Sequence, residues 1–262
     1  MNVSVILLLI LLILMVIVGG EKGSMSFLSL CLNFITFFTM LILITNQLDP
    51  FKVTFIGCVV ISSITLFLSN GINKKTVSSL LSIILVVILT MLLTYKIGTD
   101  ANIQGFNIEQ LEYISIPLSG VHLDFSKVVP CEILMGLLGA IIDVSISISS
   151  SMNEIYKNNL YITKSSLFKS GFNIGQDILG TMTNTLLFAY IGGFMTLFIM
   201  FMKINYSFSE LLNEKAFCSE VFQIMCSGIG IILIIPITAF ISSTFIFLNS
   251  QSKQTKKSDL IE

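Results

Sequence analysis

Apolar stretches long enough to cross a bilayer recur along nearly the whole of this chain, and that recurrence leaves it few folds. Hydrocarbon offers no water to pair with backbone N–H and C=O groups, so a crossing segment has to satisfy them internally, which a helix of roughly 20 apolar residues does. Such stretches run over Val3–Gly19, Phe27–Thr45, Val53–Leu68, Val77–Tyr95, Val128–Ser150, Ile178–Met202 and Val221–Leu248. The pattern predicts an all-α, polytopic transmembrane helical bundle of about seven spans. Composition excludes the alternative of a soluble domain, since 54% of the residues are hydrophobic and only 11% charged, with a mean hydropathy of +0.94. The first stretch reads as a true span and not as a cleaved leader. Met1-Asn-Val-Ser4 holds no basic residue, and no Ala-x-Ala-like site follows.

The 14 basic residues are all lysines. Seven spans put nine of them on one side: Lys22, Lys74, Lys75, Lys157, Lys164, Lys169, Lys253, Lys256 and Lys257. The remaining five, Lys52, Lys96, Lys127, Lys203 and Lys215, fall on the other. Because basic loops stay in the cytoplasm, the bias predicts a plasma-membrane protein with its N-terminus outside and its C-terminus cytoplasmic.

Residues 1–95 read as a four-span bundle whose short loops force antiparallel neighbours. Within it Asn33 is explained by an interhelical hydrogen bond. Residues 96–127 form an extracytoplasmic or interfacial connector, with an amphipathic helix predicted over 107–112 and a turn at Pro117. Residues 128–249 hold three spans, and 250–262 form a polar cytoplasmic tail predicted to be disordered. Pro130 is expected in the first turn of its span and Pro236 well inside the last. The five cysteines lack metal-site spacing and lie mostly in apolar segments, so neither a disulfide framework nor a zinc site is expected. The lone His122 has no second ligand near it in sequence. Nucleotide-binding glycine motifs are absent, and neither a cofactor nor a nucleic-acid partner is expected.

Two polar patches break the apolar monotony. The first is Gly139-Ala-Ile-Ile-Asp143-Val-Ser-Ile-Ser-Ile-Ser-Ser-Ser-Met-Asn153-Glu154, and the second is Gly175-Gln176-Asp177-Ile-Leu-Gly-Thr-Met-Thr-Asn184. At helical spacing Asp143, Ser147, Ser150/Ser151 and Glu154 share a face, continued outwards by the small residues Gly136, Gly139 and Ala140. Asp177, Gly180/Thr181 and Asn184 repeat the pattern in the next span. An ionised Asp at mid-bilayer costs roughly 2.5–3.5 kcal/mol on insertion scales, so each carboxylate requires water, a cation, a proton or a partner. Adjacent antiparallel helices are expected to bring the patches together into one cytoplasm-facing site of Asp143, Ser147, Asn153, Glu154, Gln176, Asp177, Thr181 and Asn184. Gly136, Gly139, Ala140 and Gly180 would permit close helix approach. The other reading of the same groups is that they join helices through hydrogen bonds. No serine–base or aspartyl-dyad motif points to an enzyme.

The run Gly-Ala-Ile-Ile-Asp143-Val-Ser-Ile-Ser, the Asn-Glu154 pair, Ser170-Gly-Phe-Asn-Ile-Gly and Gln-Asp177-Ile-Leu-Gly-Thr-Met-Thr-Asn184-Thr-Leu-Leu-Phe-Ala-Tyr190 closely resemble the bacterial YibE/F family. The resemblance implies an integral membrane protein of the family's short form, without the extracytoplasmic region of longer members. It also implies a hetero-oligomer with a longer paralogue, or a homo-oligomer. The family pattern carries an Arg before the second-patch Asp where this chain has Gln176, which puts any mechanism needing that ion pair in doubt here. Two functions fit these observations. One is a transporter or permease component for a small solute or ion using intramembrane carboxylates. The other is a non-transporting assembly or regulatory subunit.

Overall fold

The computed structural model describes residues 3–100, 125–159, 161–203, 209 and 213–258. Each apolar stretch became helix: α1 (Val3–Thr45), α2 (Pro50–Asn70), α3 (Lys74–Asp100), α4 (Phe125–Asn158), α5 (Lys164–Lys203) and α6 (Lys215–Ser258). All six are long and apolar enough to cross a membrane. The predicted helix at 107–112, the turn at Pro117 and His122 lie outside the described residues.

The six described helices and the roughly seven expected spans are reconciled in α1. A straight helix of its 43 residues would run about 65 Å, roughly twice the hydrocarbon thickness. Instead the backbone leaves helical geometry at Gly20 (φ 56°, ψ −135°), a conformation that glycine reaches without steric cost. A side-chain carbon on Gly23 would overlap the Met15 carbonyl, and Leu8 shares a cavity wall with Leu30 and Phe34. The arms on either side of Gly20 therefore fold back on each other, and they hold the stretches predicted as separate spans.

Helix ends follow local chemistry. Asp49 caps α2 by accepting from the Phe51 N–H at 3.2 Å, with Pro50 in the first turn. At the other end the left-handed Gly71 donates its N–H to the Phe67 carbonyl. Thr76 reaches back to accept from the Asn73 N–H at 2.9 Å as α3 begins. The Thr163 hydroxyl accepts from the Ser166 N–H at 3.2 Å, so α5 starts at Lys164 and not at the predicted Ile178. Between the expected spans Val128–Ser150 and Ile178–Met202, only the short turn between α4 and α5 is not helical among the described residues. Likewise α4 begins at Phe125, which puts Pro130 inside the helix and beyond its first turn. The tail predicted to be disordered is helical to Ser258, because no Gly or Pro follows Pro236 to stop α6.

The central helix is α4, which packs on α2, α3, α5 and α6; α6 also packs on α3 and α5, while α1 leans mainly on α2. Leu137, Ile141, Val144 and Ile148 of α4 meet Ile231, Ile234 and Ile235 of α6 and Ile83, Val86 and Val87 of α3 in one apolar core. Hydroxyl groups run through this core. Ser79 and Ser145 each donate to the other's backbone carbonyl, at 3.2 and 3.3 Å, and Thr238 donates to the Ser145 Oγ at 3.2 Å. One turn further, Ser149 lies 2.9 Å from both the Ser78 Oγ and the Lys75 carbonyl, and Ser242 donates to Ser78 at 3.1 Å. Small hydroxyl side chains let α3, α4 and α6 approach closely while satisfying their own polar atoms.

Candidate functional site

The serine-rich patch of α4 divides by face. Ser145 and Ser149 are fully buried in the hydroxyl network. Asp143 turns the other way and lines a cavity of about 830 Å³ between α1, α2 and α4. The wall is apolar apart from Cys31, Asn33, Thr65 and Asp143, and the open space beside Gly139 adds to its volume. Asp143 sits near the middle of α4 and is exposed, so the cavity is open to its surroundings. Across from it the Asn33 amide donates to the Thr65 Oγ1 at 2.8 Å, yet the buried Asn33 Oδ1 has no hydrogen-bond partner. The interhelical bond expected of Asn33 is present and, among the described residues, leaves the amide oxygen unused. Carboxylate, amide and hydroxyl oxygens held among hydrocarbon walls suit a proton, a small cation or a hydrogen-bonding solute.

No residue of α5 lines this cavity. The face of α5 that meets its neighbours is marked by Leu167, Gly171 and Gly175. Leu167 is buried, and side chains added at the two glycines would overlap Met152 of α4 and Ile235 of α6 respectively. Asp177, Thr181 and Asn184 lie on the opposite face and are exposed, as are Gln176 and Gly180. The structure thus does not bring the two polar patches into one site. Among the described residues no neighbour lies within 4 Å of a side-chain carbon placed on Gly180. Of the remaining expected site residues, Ser147 and Asn153 are half-buried, and the exposed Glu154 pairs with Lys157 at 2.9 Å. Ala140 is half-buried against the core.

Gly136 has a definite neighbour, since a side chain there would overlap the Tyr190 hydroxyl. That hydroxyl lies 3.0 Å from the Ser227 Oγ, and Gln223 is buried beside it, so α4, α5 and α6 share a polar contact one turn inside Glu132 and Glu220. Sequence reading did not single out Gln223 or Ser227. They stand four residues apart and Gln223 three beyond Glu220, a helical step that was present in the sequence but consists of single polar residues among apolar neighbours.

The sequence profile of YibE/F-like proteins matches residues 7–247. The chain belongs to this family. In this YibE/F-like protein the match begins in the first arm of α1 and ends in the last apolar turns of α6, so it takes in the hairpin, the cavity and both polar patches. No curated protein and no solved structure matches the chain.

Proposed function

We propose that this YibE/F-like protein is a transport component for a proton or small cation, or for a solute carried with one, and that Asp143 is the group that binds the charge. The observation that carries the reading is a mid-helix carboxylate lining an 830 Å³ cavity beside an Asn33 amide with an unused oxygen. Keeping that carboxylate ionised in hydrocarbon is costly, and a transported cation or proton removes the cost each time it binds. Thr65 and Asn33 supply neutral oxygens around it. The lysine distribution supports an orientation in which the Gly20 bend and the α2–α3 and α4–α5 turns face the cytoplasm of a bacterial plasma membrane.

The reading is tested with purified protein in liposomes containing a pH-sensitive dye, under an imposed potassium diffusion potential, with protons, sodium and potassium as the ions offered. Wild-type protein is expected to carry one of them. Asp143→Asn should lower the flux by roughly two orders of magnitude while inserting normally, since it removes the one charge among the described residues of the cavity wall. Undiminished flux in Asp143→Asn would refute the assignment.

A further inference from the structure

We infer that the outward face of α5 is an interface with a second copy of this chain. Asn173, Gln176, Asp177, Thr181 and Asn184 are all exposed there, and Gly180 lies among them with open space around it. The stripe starts in the polar first turns of α5 and runs into the apolar stretch over 178–202, which holds Gly180, Thr181 and Asn184. Asn173, Gln176, Asp177 and Asn184 make no side-chain hydrogen bond among the described residues, whereas Thr181 bonds back to the Ile178 carbonyl. Left against lipid, the Asn184 amide would have nothing to pair with, while Asn173, Gln176 and Asp177 lie at the polar end of the stripe. Neither the 830 Å³ cavity nor the 450 Å³ groove between α5 and α6 is lined by any of them.

The stripe fits a copy of itself. Two chains inserted with the same orientation meet about an axis along the membrane normal, which brings parallel α5 helices face to face and sets each residue opposite its own equivalent. Primary amides both donate and accept, so Asn184 can pair with the partner's Asn184. Asp177 accepts only when ionised, and the amides of Asn173 and Gln176 lie within about one turn of it on the facing helix. Gly180 stands at the centre of the stripe with no side chain to hold two backbones apart, the arrangement that permits close crossing of membrane helices. Asn184 pairs with its own equivalent, and the two Asp177 carboxylates are accommodated by the facing amides or by one shared proton.

The test reads assembly and not flux, so it can fail independently of the transport reading. Two full-length copies with different affinity tags are co-expressed, excised from the membrane in polymer nanodiscs and purified through both tags in turn. Particles of two copies are expected. Gly180→Leu should reduce the doubly tagged fraction roughly tenfold, and Ile232→Leu on exposed α6 should not. Asn184→Cys, oxidised in native membranes, should give a covalent dimer that Ile232→Cys does not, a readout that simple misfolding would not produce. Wild-type particles of one copy would overturn the inference. So would capture of a different protein in place of the second copy, or absence of the Asn184→Cys crosslink.

Discussion

Ser149→Ala is a sharp test of whether the hydroxyl groups of α4 lock helices or line a path. Three hydroxyls converge on the Lys75 carbonyl region: Ser242 donates to Ser78, Ser78 lies 3.0 Å from that carbonyl, and Ser149 lies 2.9 Å from both. Each hydroxyl has one proton, so these four contacts hold at most three full hydrogen bonds at once. Ser149 therefore contributes one donated bond at any moment. Interhelical hydrogen bonds in membranes average about 0.6 kcal/mol and reach about 1.7. Removing the Ser149 hydroxyl should cost about 1 kcal/mol, roughly a fivefold shift in the folding equilibrium. Ser78→Ala should cost more, because it also deprives Ser242 of its acceptor. The two changes together should fall short of additivity by about 0.6 kcal/mol. Ser147, half-buried with no hydrogen bond among the described residues, supplies the control, and Ser147→Ala should be neutral. Steric trapping of the protein in bicelles measures all four. Equal stability of the Ser149→Ala and Ser147→Ala proteins, or full additivity of the Ser78 and Ser149 changes, would show that the network does not hold α3 to α4.

Two further predictions concern glycines. Gly175→Ala forces a methyl group against the branched side chains of Ile235 and Ile148 and should cost about 1–3 kcal/mol in the same assay. Gly57→Ala meets only the flexible thioether of Met40 and should be close to neutral, helped by the better helix propensity of alanine. Gly23→Ala would press on the Met15 backbone, which cannot swing aside as a side chain can. It should open the α1 hairpin, detectable as a lengthened distance between spin labels at positions 8 and 30, whereas an unchanged distance would count against the hairpin.

Spacing in the sequence was enough to place Asp143 and Ser147 on one helix face and Ser145 and Ser149 on another, and the apolar runs located every helix. It did not tell which face meets which neighbour. In α5 the expectation paired polar with polar and turned Asp177 inwards. The informative signal was the four-residue step from Gly171 to Gly175, which admits α4 and α6 and leaves Asp177, two residues further on, about 200° around the helix from Gly175. The joining of two spans into α1 was also hidden, because Gly19-Gly20-Glu-Lys-Gly23 reads equally well as a loop or as a bend between helical arms. Asn33 was recognised as a bonded amide, but that its oxygen is left without a partner among the described residues depends on a side-chain orientation that no sequence pattern encodes.

The unequal distribution of these contacts has a mechanical consequence. The α3–α4–α6 trio is tied by hydroxyl bonds at two successive levels, and a shift of any one of these helices breaks several of them together. The hairpin α1 closes one side of the Asp143 cavity yet rests mainly on α2, and its first arm contributes no buried residue. Changing the volume around Asp143 therefore costs least by tilting α1 against a stationary block. The compliant part of the molecule and the wall of its charged cavity are the same helix.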